Sequence, residues 1–198
     1  MSNQIETSFQ VQLDNRDRAT VFARVILAFP VFVFLSSFSV ESIFNENSMQ
    51  TYGLLVLPVI LALLFRGVYP SYVLVFNKAL FGLGNRVWAY VSLLTDSYPS
   101  IEESEVVRIT YPEIDGGKTL SRGLPLIKWF LAIPLYIVGL VYVIYGLIML
   151  AIAWFNILFT GTMPQPCADV IVRVNQYWNR LYGYAIILVT DEYPSFSL

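Results

Sequence analysis

Two long apolar regions dominate the chain. In the first half, residues 25–40 and 53–65 are almost wholly apolar and flank a polar insert at residues 41–50. In the second half, residues 124–159 are apolar apart from one charge. A helix of about 20 residues crosses a bilayer, whereas this region would form a helix about 54 Å long. We therefore predict an apolar helical hairpin in each half, the second turning near residues 139–146 and either crossing the bilayer or re-entering it.

Each half also carries a short alternating segment and a mixed helix. Residues 9–13 and 107–111 alternate apolar and polar side chains, which is typical of β-strands, and these strands could pair with each other or with strands of a partner. Residues 72–94 and 168–189 have polar side chains in their first two-thirds and an apolar end. Such a helix either lies in the membrane interface, which we favour, or turns its polar face toward protein. Its apolar end leaves a full crossing of the bilayer open as well. The predicted fold is mainly α-helical and integral to a membrane.

The two halves resemble each other. Residues 18–30 resemble residues 122–134 at an offset of 104, and Thr95–Pro99 resembles Thr190–Pro194 at an offset of 95. The polar insert, which the second half lacks, accounts for the smaller offset. Six blocks match in this way, at an offset of 104 before the insert and of 94 or 95 after it, and such regularity is hard to produce by chance. We interpret the chain as two tandem repeats, residues 1–103 and residues 104–198, each made of a strand, a hairpin and an amphipathic interfacial helix.

Composition supports a membrane location. Hydrophobic residues make up 57% of the chain and charged residues 13%, whereas soluble domains carry about 25% charged residues. The net charge of −2 argues against a nucleic-acid partner, because basic surfaces supply most of that affinity. The chain has no histidine and one cysteine, Cys167, and carries no recognisable catalytic or metal-binding motif. We therefore expect no cofactor, no metal site and no enzymatic activity.

The basic residues indicate orientation. None of the twelve lysines and arginines lies in residues 25–65 or 129–172. Both hairpins are thus expected to return to the face from which they enter, and the positive-inside rule makes that face cytoplasmic. Both termini are expected on that face too.

Two equivalent motifs contain the first candidate site residues. Asp96 and Asp191, with Tyr98 and Tyr193 two positions later, could form a paired site for a headgroup or a cation. The simpler interpretation is that each motif ends a helix, because proline cannot continue one and tyrosine suits the headgroup level.

Four basic residues complete the candidate site. Arg86 and Arg180 could clamp a lipid phosphate, since guanidinium binds phosphate through two hydrogen bonds. The simpler interpretation is snorkelling or an ion pair with the nearby aspartate. Arg122 and Lys128 precede the second apolar region and are expected to bind anionic lipid or to act as ordinary topology anchors.

Three segments carry a family resemblance. Residues 120–134, 153–161 and 188–198 resemble a bacterial membrane family known as domain of unknown function 4389. The resemblance covers the second half well and the first half as a diverged copy. It implies a bacterial membrane location and supplies no catalytic residue. Together with the predicted hairpins, it leads us to expect a multi-pass protein of the bacterial inner membrane.

The leading functional prediction is a non-enzymatic membrane scaffold or accessory subunit. It would bind membrane lipids, a membrane protein partner or further copies of itself through the mixed helices and the strands. One alternative is a small oligomeric channel or transporter, because duplicated halves are common among transporters. A second alternative is a lipid-modifying enzyme that uses Asp96 and Asp191.

Overall fold

The computed structural model describes residues 3–38 and 55–198, and the described chain is mainly helical. The polar insert at residues 41–50 lies outside the described residues. The strands and α-helices, in chain order, are β1 (Glu6–Phe9), α1 (Arg18–Leu27), α2 (Phe29–Ser36), α3 (Val56–Arg66), α4 (Ser71–Val91), β2 (Val107–Thr110), α5 (Leu124–Leu131), α6 (Ile133–Thr160) and α7 (Gln165–Tyr182). A π-helical turn, Gly183–Ile187, continues α7.

The two strands form an antiparallel pair. Glu6 lies opposite Thr110, and Phe9 lies opposite Val107. The second alternating segment thus forms β2, but it pairs with residues 6–9, of which only Phe9 belongs to the predicted first strand. Strand β2 begins where we predicted, whereas β1 begins three residues before the predicted position. Strand β1 ends at Phe9 because the chain then turns to the end of α4, where the amide of Gln12 donates to the carbonyl oxygen of Leu94.

The second apolar region contains no hairpin, so that prediction is wrong. Helix α6 runs unbroken over 28 residues, about 42 Å at 1.5 Å per residue. The glycines that we expected to turn the chain instead allow close packing. A Cβ on Gly139 would lie 2.9 Å from the Trp178 ring, and one on Gly146 would lie 3.4 Å from Val174. Within residues 124–160, the helix is interrupted at Ala132, which separates α5 from α6. Pro134 is the second residue of α6, a position at which proline is tolerated.

Two described helices are long and apolar enough to cross a membrane. They are residues 18–36, which comprise α1 and α2, and α6. Only 17% of the apolar window of α6 is buried, whereas the core helix of a soluble protein is mostly buried. The outward face of α6 is formed by large apolar side chains: Ile133, Ile137, Leu140, Ile144, Ile148, Ile152, Phe155 and Phe159. Such a surface suggests membrane association.

The mixed helices α4 and α7 turn their polar side chains toward protein. Asn77 and Asn85 of α4 are buried, as are Asn175 and Asn179 of α7. The interfacial arrangement required these amides to face lipid headgroups, but they are buried inside the protein. The observed orientation is the alternative, with the polar face toward protein, because the amides find hydrogen-bond partners there.

The two halves interlock. The amide of Arg16, just before α1, donates to the carbonyl oxygen of Gly161 at the end of α6 (3.0 Å). Conversely, Arg122, just before α5, packs on Gly67 at the end of α3, where an added Cβ would lie 2.7 Å from its Nε. Basic residues thus lie at both ends of α6, so the expectation that this region returns its cations to one face does not hold.

Both halves also share their hydrophobic clusters. One cluster joins Val21 of α1 to Ile157 of α6. A second joins Leu63 of α3 to Leu120 and Ile187. The described chain therefore folds as one packed unit.

Candidate functional site

Asp96 lies in an ion-pair cluster at the start of α1. Its Oδ1 is 2.7 Å from the Nη2 of Arg16 and also contacts the Nη2 of Arg24. Its Oδ2 accepts a hydrogen bond from the backbone amide of Asp17 (2.9 Å), the residue whose own side chain caps α1. The carboxylate thus holds the start of α1 against the end of α4.

The Arg24 guanidinium is buried although α1 is an apolar helix. Its Nη1 donates to the carbonyl oxygens of Tyr90 (2.9 Å) and Thr95 (2.5 Å). Its Cζ lies 4.4 Å from the centre of the Tyr90 ring. These acceptors and the Asp96 carboxylate replace most of the water that the cation loses on burial, while its Nε has no partner among the described residues.

A second cluster surrounds Asp191. The Nζ of Lys128 lies 2.7 Å from its Oδ1, and the backbone amide of Ser121 donates to its Oδ2 (2.6 Å). Lys128 also donates to the carbonyl oxygen of Thr190 (2.6 Å) and lies 5.0 Å from the centre of the Tyr184 ring. Each contact has a counterpart in the first cluster.

Both aspartates are held as carboxylates. Burial raises the pKa of Asp96, but hydrogen bonds from Arg16, Asp17 and Arg24 outweigh it, so the pKa lies below its usual value. For Asp191, burial is likewise outweighed by Lys128 and Ser121. The two carboxylates have different cationic partners and do not form one shared site. Neither is tuned to deliver a proton near neutral pH.

Tyr98 and Tyr193 pack beside these clusters at the surface. Tyr98 meets the Tyr90 ring edge-on, and Tyr193 meets the Tyr184 ring in the same way, each with ring centres 5.6 Å apart. The Tyr193 hydroxyl donates to the carbonyl oxygen of Leu131 (2.9 Å). Both tyrosines remain partly exposed.

Arg86 and Arg180 hold the chain that follows each motif. Arg86 donates to the carbonyl oxygens of Ser100 (2.8 Å) and Ile101 (3.0 Å). Arg180 donates to the carbonyl oxygen of Ser197 (2.6 Å). Neither forms the ion pair with the nearby aspartate that we considered. Two of Arg86's donor atoms are already engaged, and the residue is 7% exposed.

Arg122, in contrast, is an exposed cation at a helix end, and Arg18 is its counterpart. Arg122 packs on Gly67 at the C-terminus of α3, and Arg18 packs on Gly161 at the C-terminus of α6. Positive charge is favourable at a helix C-terminus. Within residues 3–38 and 55–198, neither arginine has a salt-bridge partner, and both are exposed.

The structure also contains a cavity that sequence reasoning missed. It has a volume of about 540 Å³ and lies between α2, α4, α6 and α7. Apolar side chains form most of its wall, and Gly84 and Gly146 leave room for it. Small residues at these positions were the only available signal, because a cavity depends on which helices meet.

Three asparagines line this wall, together with Ser92 and with Trp178, whose buried Nε1 has no hydrogen-bond partner in the described residues. The Nδ2 of Asn179 lies 2.6 Å from the Oδ1 of Asn85, 2.8 Å from the Oδ1 of Asn175 and 2.9 Å from the Oγ1 of Thr7. Asn85 and Asn179 occupy matching positions in α4 and α7. In the described residues, no group of three or more His, Cys, Asp or Glu side chains is arranged to hold a metal ion.

Comparison with known proteins supports the family resemblance over much of the second half. Residues 125–197 match the family profile described as Domain of unknown function (DUF4389). No curated protein and no solved structure matches the chain. The family match brings no activity with it, so function has to be argued from the site.

Proposed function

We propose that this protein is a non-enzymatic integral membrane protein that binds lipid and acts as a scaffold or accessory subunit in the bacterial inner membrane. One observation carries the proposal: the outward faces of the apolar helices consist of large apolar side chains, while Asp96 and Asp191 are paired with buried cations inside the protein. Exposed side chains such as Phe22 and Ile26 of α1 and Phe130 of α5 extend the apolar surface of α6. The occupant of that surface is lipid, a membrane protein partner or a second copy of the chain.

The proposal includes a tandem duplication, with residues 1–103 and residues 104–198 as the two copies. Matching contacts support it. The backbone amides of Asp17 and Ser121, which are 104 residues apart, bind Asp96 and Asp191, which are 95 residues apart.

The termini are proposed to share the cytoplasmic side of a multi-pass protein. The amide of Asn3 donates to Glu192 Oε2 (2.7 Å), and the Gln4 side chain donates to the carbonyl oxygen of Tyr193 (3.1 Å). These contacts support a common compartment for the two ends.

Lipid binding is assigned to the exposed arginines, Arg18 and Arg122. Each basic residue near a membrane surface attracts anionic lipid by about 1 kcal/mol. Because the charges of Arg24 and Lys128 face carboxylates, the two exposed arginines are the better ligands for a phosphate.

Membrane extraction and lipid retention test this function together. The full chain, expressed in bacterial inner membranes, should remain in the membrane fraction during alkaline carbonate extraction. After purification from nanodiscs of equal phosphatidylglycerol and phosphatidylcholine, the wild type should retain phosphatidylglycerol preferentially by native mass spectrometry. The double variant Arg18→Gln, Arg122→Gln should reduce that preference about tenfold or more, since two contacts of about 1 kcal/mol each are lost.

Arg108→Gln is the matched control, because Arg108 is exposed but already paired with Glu105. Its phosphatidylglycerol retention should equal that of the wild type. Release of the wild-type chain by carbonate would refute the membrane assignment, and unchanged retention in the double variant would refute the lipid role of the two arginines.

A further inference from the structure

The cavity between α2, α4, α6 and α7 has the size and the wall of a ligand site. Ligand pockets typically measure roughly 300–1,000 Å³ and are mainly apolar with a few placed polar groups. This one measures about 540 Å³ and combines aliphatic and aromatic side chains with three asparagines. One of its helices, α6, belongs to the apolar surface that faces lipid in the proposed function, on which this inference rests.

The asparagines leave hydrogen-bonding capacity unused. An amide nitrogen carries two protons, but the Nδ2 of Asn179 faces three acceptors, on Asn85, Asn175 and Thr7. One acceptor is therefore left without a proton from Asn179. In the part of the chain that the structure describes, the Nδ2 of Asn175 has no hydrogen-bond acceptor, although that residue is more than nine-tenths buried. A group that both donates and accepts would complete this cluster.

The wall excludes charged ligands and peptide helices. None of the lining residues carries a charge, so a carboxylate or phosphate inside would lie without a counter-ion. A single turn of helix, about 10 Å across and 5.4 Å high, already fills about 420 Å³, so the cavity has room for little more than one turn and not for a longer peptide helix. A hydrocarbon chain is thin enough to extend through the cavity.

We propose that this cavity binds one hydrocarbon chain of an uncharged membrane lipid whose free hydroxyl reaches the asparagines, as in the glycerides and long-chain alcohols. The hydroxyl accepts a hydrogen bond from the Nδ2 of Asn175 and donates to the acceptor that Asn179 leaves open. The chain lies against the apolar residues of α4 and α6, which include Leu80 and Leu147.

Gly84 provides a selective way to close the cavity. It lines the wall, and a Cβ added there would meet nothing within 4 Å. Gly84→Phe therefore places its ring in the cavity, whereas Gly84→Ala adds one methyl group and leaves most of the volume open. Asn175→Leu keeps the approximate size of the side chain and removes both hydrogen-bonding atoms.

The test uses the full chain in nanodiscs and a monoacylglycerol that carries a photoreactive diazirine and an alkyne tag. Two further probes have the same chain, one as the methyl ester without a hydroxyl and one as the free fatty acid. Monoacylglycerol should label peptides of α4 and α7 more strongly than either. Gly84→Phe should lower that labelling at least tenfold, Gly84→Ala by less than twofold, and Asn175→Leu should abolish the preference over the ester.

Equal labelling of the wild type and Gly84→Phe would overturn the proposal, as would equal labelling by the hydroxyl probe and the ester. Should Gly84→Phe fail to fold, judged by its melting curve, the ester comparison and Asn175→Leu still decide the matter. Carbonate extraction of the membranes from which the chain was purified distinguishes failure of the ligand proposal from failure of the proposed function. A chain that stays in the membrane but shows no cavity labelling refutes only the ligand, whereas a released chain refutes the proposed function as well.

Discussion

At the scale of single residues, the motif charges hold the fold together. Arg24 and Lys128 are almost fully buried, and each contacts one aspartate and nearby carbonyl oxygens. A buried ion pair adds little net stability compared with apolar residues, but removal of one partner leaves a buried charge. The aspartates are therefore expected to matter for folding more than for chemistry.

Asp191→Asn should destabilise the protein by about 3 kcal/mol, because it leaves the Lys128 ammonium without its carboxylate. The side chain of Lys128 is only 1% exposed. The measurement is the thermal unfolding midpoint in mild detergent. Asp115→Asn is the control, since its partner Lys118 and Asp115 itself are both exposed, and such pairs contribute less than about 1 kcal/mol. Similar shifts for the two variants would contradict the structural role of the buried pair.

Acid should weaken the protein through Asp96 and Asp191. Their folded-state pKa values lie below normal, so their stabilisation is present above the unfolded pKa of about 3.9. It is lost as pH falls through the lower folded-state pKa. The unfolding midpoint should thus be flat from pH 7 to 5 and fall below about pH 4. The double variant Asp96→Asn, Asp191→Asn should start lower and lose much of this slope, and an unchanged slope would show that other groups cause it.

At the scale of elements, glycine has two opposite roles. Gly67 ends α3 in the left-handed region, with φ of +62°, and an added Cβ would also press on Arg122. Gly84 lies inside α4 with open space beside it. The same residue type thus ends one helix and opens a cavity in another.

Substituting alanine at these two positions should shift stability in opposite directions. Gly67→Ala should cost about 1–2 kcal/mol, because a Cβ is unfavourable in the left-handed region. Gly84→Ala should add up to about 1 kcal/mol, because alanine favours helix over glycine. Thermal unfolding of both variants in the same detergent provides the comparison. A gain from Gly67→Ala would contradict the observed end of α3.

At the scale of the whole molecule, the two ends of α6 contact different parts of the chain. The N-terminal side lies near Asp191 and the chain termini, and the C-terminal side lies at the start of α1. If α6 crosses the bilayer, as the proposed multi-pass arrangement requires, these two regions face different compartments.

Cysteine labelling should report that difference. In a Cys167→Ala background, Ser121→Cys and Thr162→Cys flank α5 and α6 at exposed positions. An impermeant maleimide should label them from opposite sides of inner-membrane vesicles. Ser195→Cys is the control and should behave like Ser121→Cys, because Ser121 binds Asp191. Labelling of positions 121 and 162 from one side would place α6 along the membrane surface.

Part of the candidate site was visible in the sequence. Asp96, Asp191 and Lys128 were each singled out, because charges beside apolar helices need partners. Their pairing was not: the sequence indicated Arg24 only as an interfacial anchor, and the role of Arg16 entered only through the fold. A duplicated motif identifies matching residues but cannot show which of several nearby cations a carboxylate contacts.

The sequence alone determined the apolar helices, the position of strand β2 and the polar character of α4 and α7. These features depend on hydrophobic pattern, which is local along the chain. The tertiary structure alone decided that α6 runs straight through Gly139 and Gly146, that the asparagines turn inward and that a cavity lies beside Gly84. Each of these depends on side chains from distant segments, because a glycine turns the chain or receives a neighbouring ring according to what packs against it.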